Sequence, residues 1–166
     1  MKPTAIVYTS NAGHTAEYAA LLGEKTGLPV YALSENSAVG SPVIYMGWLM
    51  AGKVQGYKKA EKKYKICALC GVGMGATGSQ TEDVKKANTP PKDLPIFTLQ
   101  GGFDITKLHG IYKFMMKVMA NTAGKSLAEK ENRTPEEEDM LSLLRDGGNR
   151  VNADSLSCIL DWLKEQ

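Results

Sequence analysis

The sequence predicts an α/β fold: a doubly wound, five-stranded parallel sheet of order 2-1-3-4-5 with helices on both faces. Three observations predict it. Short apolar runs alternate along the chain with helical patterns, as in consecutive βαβ units. The runs are apolar at successive positions, as in Ala5-Ile6-Val7-Tyr8 and Val43-Ile44-Tyr45-Met46, which suits strands buried on both faces. Glycine-rich segments follow three of them, and glycine lets backbone approach a ligand closely.

The first strand, 3–9, runs into Thr9-Ser10-Asn11-Ala12-Gly13-His14-Thr15 and then a helix over 14–26 with Ala16, Ala19, Ala20 and Leu22 at helical spacing. A second strand covers 29–33. The third, 42–47, ends in Met46-Gly47-Trp48-Leu49-Met50-Ala51-Gly52, and a helix is expected over 52–63. The fourth, 65–71, passes into Cys70-Gly71-Val72-Gly73-Met74-Gly75-Ala76-Thr77-Gly78, followed by a helix over 80–88. The fifth, 95–100, ends in Gln100-Gly101-Gly102-Phe103-Asp104. A helical insertion at about 101–152 precedes a last helix over 153–165.

Within the insertion, a helix is expected over 110–121, and its stretch 111–119 is apolar except for Lys113 and Lys117, four apart and so on one face. It is expected to pack over the sheet; the alternative is a helix that faces something greasy. Its methionines suit an adaptable surface. Thr134-Pro135-Glu136-Glu137 reads as a helix start with Thr134 at N-cap, Pro135 at N1 and Glu137 at N3. The helix runs over 135–145 and Asp146-Gly147-Gly148 stops it. Carboxylates 136–139 are then first-turn residues rather than catalytic acids.

A chain of 166 residues with 43% hydrophobic and 23% charged residues reads as one globular domain. A net charge of +2 gives no footprint for nucleic acid. The odd count of three cysteines, with no secretory signal ahead of the first strand, points to the cytoplasm. Cys67 and Cys70 form a C-x-x-C on an apolar strand and read as buried structural residues, because a redox pair needs a helix N-terminus. With only His14 and His109 besides, no zinc site can be assembled. No apolar run reaches the ~20 residues that span a bilayer. Lys53, Lys58, Lys59, Lys62, Lys63 and Lys65 stand against Glu61 alone. That is a solvated face, with contact to an acidic protein or an anionic membrane surface as the alternative.

The candidate chemistry lies in the first turn. Backbone amides, hydroxyls and the positive end of a helix dipole meet at residues 10–15, which suits a phosphate. The turn has no lysine and no Gly-Lys-Ser/Thr ending, so it is no P-loop. It has no G-x-G-x-x-G, so it is no dinucleotide turn. A phosphate monoester remains, against the plain alternative of an ordinary capped βα turn.

Tyr8-Thr9-Ser10-Asn11-Ala12-Gly13-His14-Thr15 resembles the phosphate loop of the flavodoxin-like FMN-binding family, through Ser10, Gly13 and Thr15. Ala12 stands where many flavodoxins carry threonine. Gly13-His14-Thr15, with the insertion after Gly101-Gly102-Phe103-Asp104, is similar to the branch that includes the flavodoxin-type protoporphyrinogen oxidases. The resemblance spans essentially the whole chain and carries no substrate identity. It implies FMN as cofactor, with Ser10, Asn11, Ala12, Gly13, His14 and Thr15 at the phosphate. Met46, Gly47, Trp48 and Leu49, with Gly71, Val72, Gly73 and Met74, would flank the isoalloxazine, Trp48 stacking on it. It implies an FMN-dependent oxidoreductase moving electrons between the flavin and a small-molecule or quinone acceptor. The alternatives are an electron shuttle between protein partners and a flavin-free binding domain. Shuttles typically present acidic faces to their partners, and this chain is slightly basic. Peripheral contact with a membrane stays open.

Overall fold

The computed structural model describes residues 1–104, 106–107 and 110–166, and side chains among them except at 110, 112 and 116. In chain order the elements are β1 (Ala5–Thr9), α1 (His14–Thr26), β2 (Val30–Ala32), β3 (Pro42–Met50), β4 (Lys53–Val54), α2 (Tyr57–Ala60), β5 (Lys65–Gly73), α3 (Thr81–Asn88), β6 (Ile96–Gln100), β7 (Gly102–Phe103), α4 (Gly110–Ala128), α5 (Pro135–Asp146), β8 (Gly148–Asn149) and α6 (Ser157–Lys164). The central sheet has the order β2-β1-β3-β5-β6, with β4 paired to β3 alone. Its five main strands are parallel. Leaving β4 aside, this is the expected doubly wound order.

Alternation along the strands sorts side chains to the two faces. Ile6, Ile44, Met46, Ala68 and Cys70 pack with Tyr18, Leu22 and Ile159 of α1 and α6. Val7, Val43, Tyr45 and Leu69 pack with Tyr57, Ala60 and Val84 of α2 and α3. Each large side chain so buried stabilises the fold by roughly 1.5–3 kcal/mol. Cys67 falls where the β3–β5 register slips, since Val43 faces Ile66 and Ile44 faces Ala68. It is the extra residue of a bulge. Cys67 and Cys70 are both buried and unbridged, as expected.

The helix expected over 52–63 is a correction. β3 continues to Met50 and turns back at once, Met50 pairing with Lys53. Ala51 (φ 48°) and Gly52 (φ 74°) both lie in the left-handed region, the geometry of a two-residue hairpin turn that matches strand twist. Only Tyr57–Ala60 is helical, after Gly56 at φ 81°. There the backbone meets the Tyr45 hydroxyl and a Cβ has no room.

The insertion brings two more differences. β7 and β8 form a small antiparallel pair, Phe103 against Gly148, so the chain leaves and re-enters the fold at one point. Helix α4 runs seven residues beyond the expected end at 121, to Ala128. Among its described residues it packs on α5 through its C-terminal half rather than over the sheet. Tyr112 and Met116, two of its apolar residues, have side chains outside those described, and His109 lies outside the described residues. Among the described residues, no helix is long and apolar enough to cross a membrane.

Candidate functional site

β1 delivers the chain to the carboxyl edge of the sheet at Thr9. Its hydroxyl donates to the Gln55 carbonyl (2.7 Å) and lies 3.0 Å from the Tyr45 hydroxyl. Tyr45 donates to the same carbonyl at 2.8 Å. Burial raises the Tyr45 pKa to about 12, so it stays a neutral donor. This three-residue junction anchors the β3–β4 hairpin beside the turn that follows β1.

The turn is built by Ser10 and Gly13. The Gly13 amide donates to Ser10 Oγ at 3.1 Å, and Gly13 adopts φ 100° as the residue that opens α1. No side chain caps the helix, so the amides of its first turn keep the donor capacity that every helix start has. Thr15 is buried yet lines the adjoining cavity. Asn11 Nδ2 is buried and has no hydrogen-bond partner among the described residues. A buried donor without an acceptor is costly and rare, which marks a place for a ligand or water.

The cavity measures about 820 Å³, within the range of small-molecule sites. The turn closes one end through Ser10, Asn11, Ala12, His14 and Thr15. Trp48 to Gly52 of the hairpin and Val72 to Ala76, at the end of β5 and just beyond it, form the strand-end side. Phe103, with Met119, Ala123 and Leu127 of α4 and Met140 and Leu144 of α5, forms the opposite wall. Ser10 and Asn11 also line a smaller cleft of about 380 Å³, between the turn and Ala32–Ser34.

His14 is 9% exposed and packs beneath Gly101 and Gly102, where an added Cβ would fall 3.1 Å from its Cβ and 2.8 Å from its Nε2. Burial holds its pKa below the usual 6.5; Lys107 reinforces this, and Glu17 and Asp104 partly oppose it. The free chain therefore favours the neutral imidazole at pH 7. Asp104, also on the cavity, is held below the ordinary carboxylate range by hydrogen bonds from Thr106, with Lys107 adding to this.

Ten of the fourteen expected residues border the cavity: Ser10, Asn11, Ala12, His14, Thr15, Trp48, Leu49, Val72, Gly73 and Met74. Gly13 shapes the turn from behind and lines the smaller cleft. Met46 is fully buried in the core on the α1 side. Gly47 and Gly71 are packing positions. A Cβ on Gly47 would fall 2.6 Å from the Gln55 carbonyl oxygen, and one on Gly71 would fall 2.6 Å from Leu49 Cδ2. The glycines admit the hairpin against the sheet rather than admitting a ligand.

Sequence reasoning missed Met140 and Leu144 of α5, and Asp83 and Lys86 of α3, all on the cavity. The spacing of Met140 and Leu144 put them on one helical face, but nothing local said which way that face points. Three contacts fix it. Gln100 Nε2 donates to Asp139 Oδ2 at 2.6 Å, Arg150 Nε donates to Asp139 Oδ1 at 3.0 Å, and the Arg150 amide donates to the Gly101 carbonyl at 2.6 Å.

The donor set fits a flavin mononucleotide. One end offers hydroxyls, helix-start amides and the orphaned Asn11 amide nitrogen, and the rest is walled by Trp48, Leu49, Met50, Met74 and Phe103. Comparison with family models, with curated proteins and with solved structures finds no match.

Proposed function

We propose that the protein binds one FMN and acts as an oxidoreductase that passes electrons between the flavin and a small, apolar acceptor such as a quinone. The observation that carries this reading is the buried, unpartnered Asn11 Nδ2 in a hydroxyl-bearing turn at a helix start, at the end of an 820 Å³ cavity. Ser10, Thr15 and the first amides of α1 would hold the phosphate. Trp48 and Met74 would lie beside the ring, and Thr9, Tyr45 and Gln55 keep the hairpin that carries Trp48 in register. The flavin supplies the electron chemistry; the chain binds it, orients it and limits water.

An enzyme is favoured over a shuttle by the second wall. A shuttle needs its flavin edge open to protein partners, whereas α4 and α5 line this cavity with Met119, Ala123, Leu127, Met140 and Leu144. The test is Ala123→Trp, which fills that side. With reduced, FMN-loaded protein, the rate to a soluble quinone should fall at least tenfold while the rate to cytochrome c stays within twofold (about 1.4 kcal/mol is tenfold). The reverse pattern would assign the protein as a carrier between proteins.

A further inference from the structure

Among the described residues, His14 is the one buried titratable group on the cavity. It is 9% exposed, whereas Asp83, Lys86 and Glu136 are exposed and Asp104 and Glu137 half-buried. Its ring makes no hydrogen bond among the described residues. Buried polar side chains nearly always have a partner, and a neutral imidazole carries one donor and one acceptor. Both are left for what the cavity holds.

The backbone and the ring of this residue belong to different parts of the site. Its amide lies in the first turn of α1. Its ring packs under Gly101 and Gly102, where the absence of side chains leaves it room. Phe103 follows at once and begins the apolar wall that α4 and α5 complete. The charged groups around the ring are Glu17 of α1 and Asp104 and Lys107 beyond β7. Arg150, beyond β8, is held by Asp139. Asp104 and Lys107 pair at 3.6 Å, which leaves the Glu17 carboxylate to oppose a phosphate dianion at the ring. A neutral carbonyl oxygen against an apolar wall suits the position better. Burial, with Lys107 adding to it, holds the pKa below 6.5, so the imidazolium gives up its proton more readily than that of an ordinary histidine.

We propose that the His14 ring binds a carbonyl oxygen of the acceptor and gives that oxygen a proton as the acceptor is reduced. This rests on the function proposed above and narrows the acceptor to a neutral ring that carries a carbonyl, a quinone. Reduction of a quinone to its quinol takes two electrons and two protons. Both electrons and one proton come with the bound, reduced flavin. The second proton leaves the His14 imidazolium, which becomes neutral and regains a proton from water. The apolar wall has no group that could supply it.

The test uses the FMN-loaded full chain and duroquinone, whose fully methylated ring leaves no position for addition of the exposed Cys158 thiol. In the oxidised protein no electrons pass, and magnetic resonance of the imidazole nitrogens reads binding alone. Either His14→Gln or His109→Gln assigns the two histidine signals. Duroquinone should shift the His14 nitrogens; durene, the same methylated ring without oxygens, should not. Equal shifts, or none, overturn the proposal, whether or not the His14 variant folds. In the reduced protein, the rate to duroquinone is divided by the rate to ferricyanide, which takes one electron and no proton. The parent's ratio should fall as the pH rises between about 6 and 8, as imidazolium is lost. His14→Gln should lower the ratio at about pH 6 at least a hundredfold, leave KM within about threefold because glutamine keeps a donor, and flatten the pH profile. An unchanged ratio, or both rates falling together, overturns the proposal. So does a variant that loses FMN affinity and keeps riboflavin affinity, which would move the ring to the phosphate. A parent that binds no FMN, or that binds it and never reduces duroquinone, overturns the function proposed above and this proton transfer with it.

Discussion

Gln100 Nε2 lies 2.6 Å from Asp139 Oδ2, joining the last strand of the sheet to helix α5 across 39 residues of sequence. Asp139 accepts from Arg150 Nε on its other oxygen, and the Arg150 amide bonds the Gly101 carbonyl. One carboxylate therefore ties the wall that α5 contributes to the cavity to the last strand of the sheet, beside the packing of Leu143 on Phe103. Asp139→Ala should destabilise the protein by about 1 kcal/mol, because the bonds are charge-assisted but the pair is about one-third exposed. Hydrogen exchange should speed up across 110–146 and stay slow in β1, β3 and β5. Uniform acceleration would mean that α5 is held by other contacts.

Gly47 separates packing from binding. Gly47→Ala drives a Cβ toward the Gln55 carbonyl oxygen and Val54 Cγ1, each 2.6 Å away. The hairpin must shift, at a cost of roughly 1–3 kcal/mol. Denaturant unfolding should show this loss. FMN affinity measured well below the unfolding midpoint should fall less than for Thr15→Ala. Unchanged stability would show that the hairpin yields freely.

His14 makes stability depend on pH. Its pKa in the folded chain lies below 6.5 because it is buried, with Lys107 adding to the shift. Above 6.5 the imidazole is neutral in both states and costs nothing. As the pH falls below 6.5, the unfolded chain takes up the proton first, so stability drops until the folded-state pKa is passed. His14→Gln should flatten the stability profile between about pH 7 and 5. An unchanged slope would place the titration elsewhere.

The sheet was legible because its strands are continuous apolar runs, and helix α5 because Thr134, Pro135 and Glu137 spell its start. The Thr134 hydroxyl accepts from the Glu137 amide at 3.3 Å and Glu137 accepts from the Thr134 amide at 3.0 Å. The hairpin after β3 was not legible, since it rests on Ala51 at positive φ, a conformation alanine rarely adopts. The turn at 10–15 could be read because its parts are consecutive. The far wall could not, because Asp139 looks like its first-turn neighbours Glu136, Glu137 and Glu138 until Gln100 and Arg150 are brought to it. Glycines at strand ends suggested a ligand, whereas at Gly47 and Gly71 they make room for Gln55 and Leu49.

The central claim is that the turn at 10–15 holds the phosphate of FMN. The measurement is equilibrium titration of the protein with FMN and with riboflavin, read by flavin fluorescence, in the parent and in Thr15→Ala. The ring walls are the same for both ligands, so the phosphate alone decides the difference. FMN should bind at least about tenfold more tightly than riboflavin, the scale of one or more charge-assisted hydrogen bonds. Thr15→Ala should weaken FMN by roughly 1–2 kcal/mol and leave riboflavin unchanged. Equal affinities for the two flavins, or no binding of either, would contradict the account.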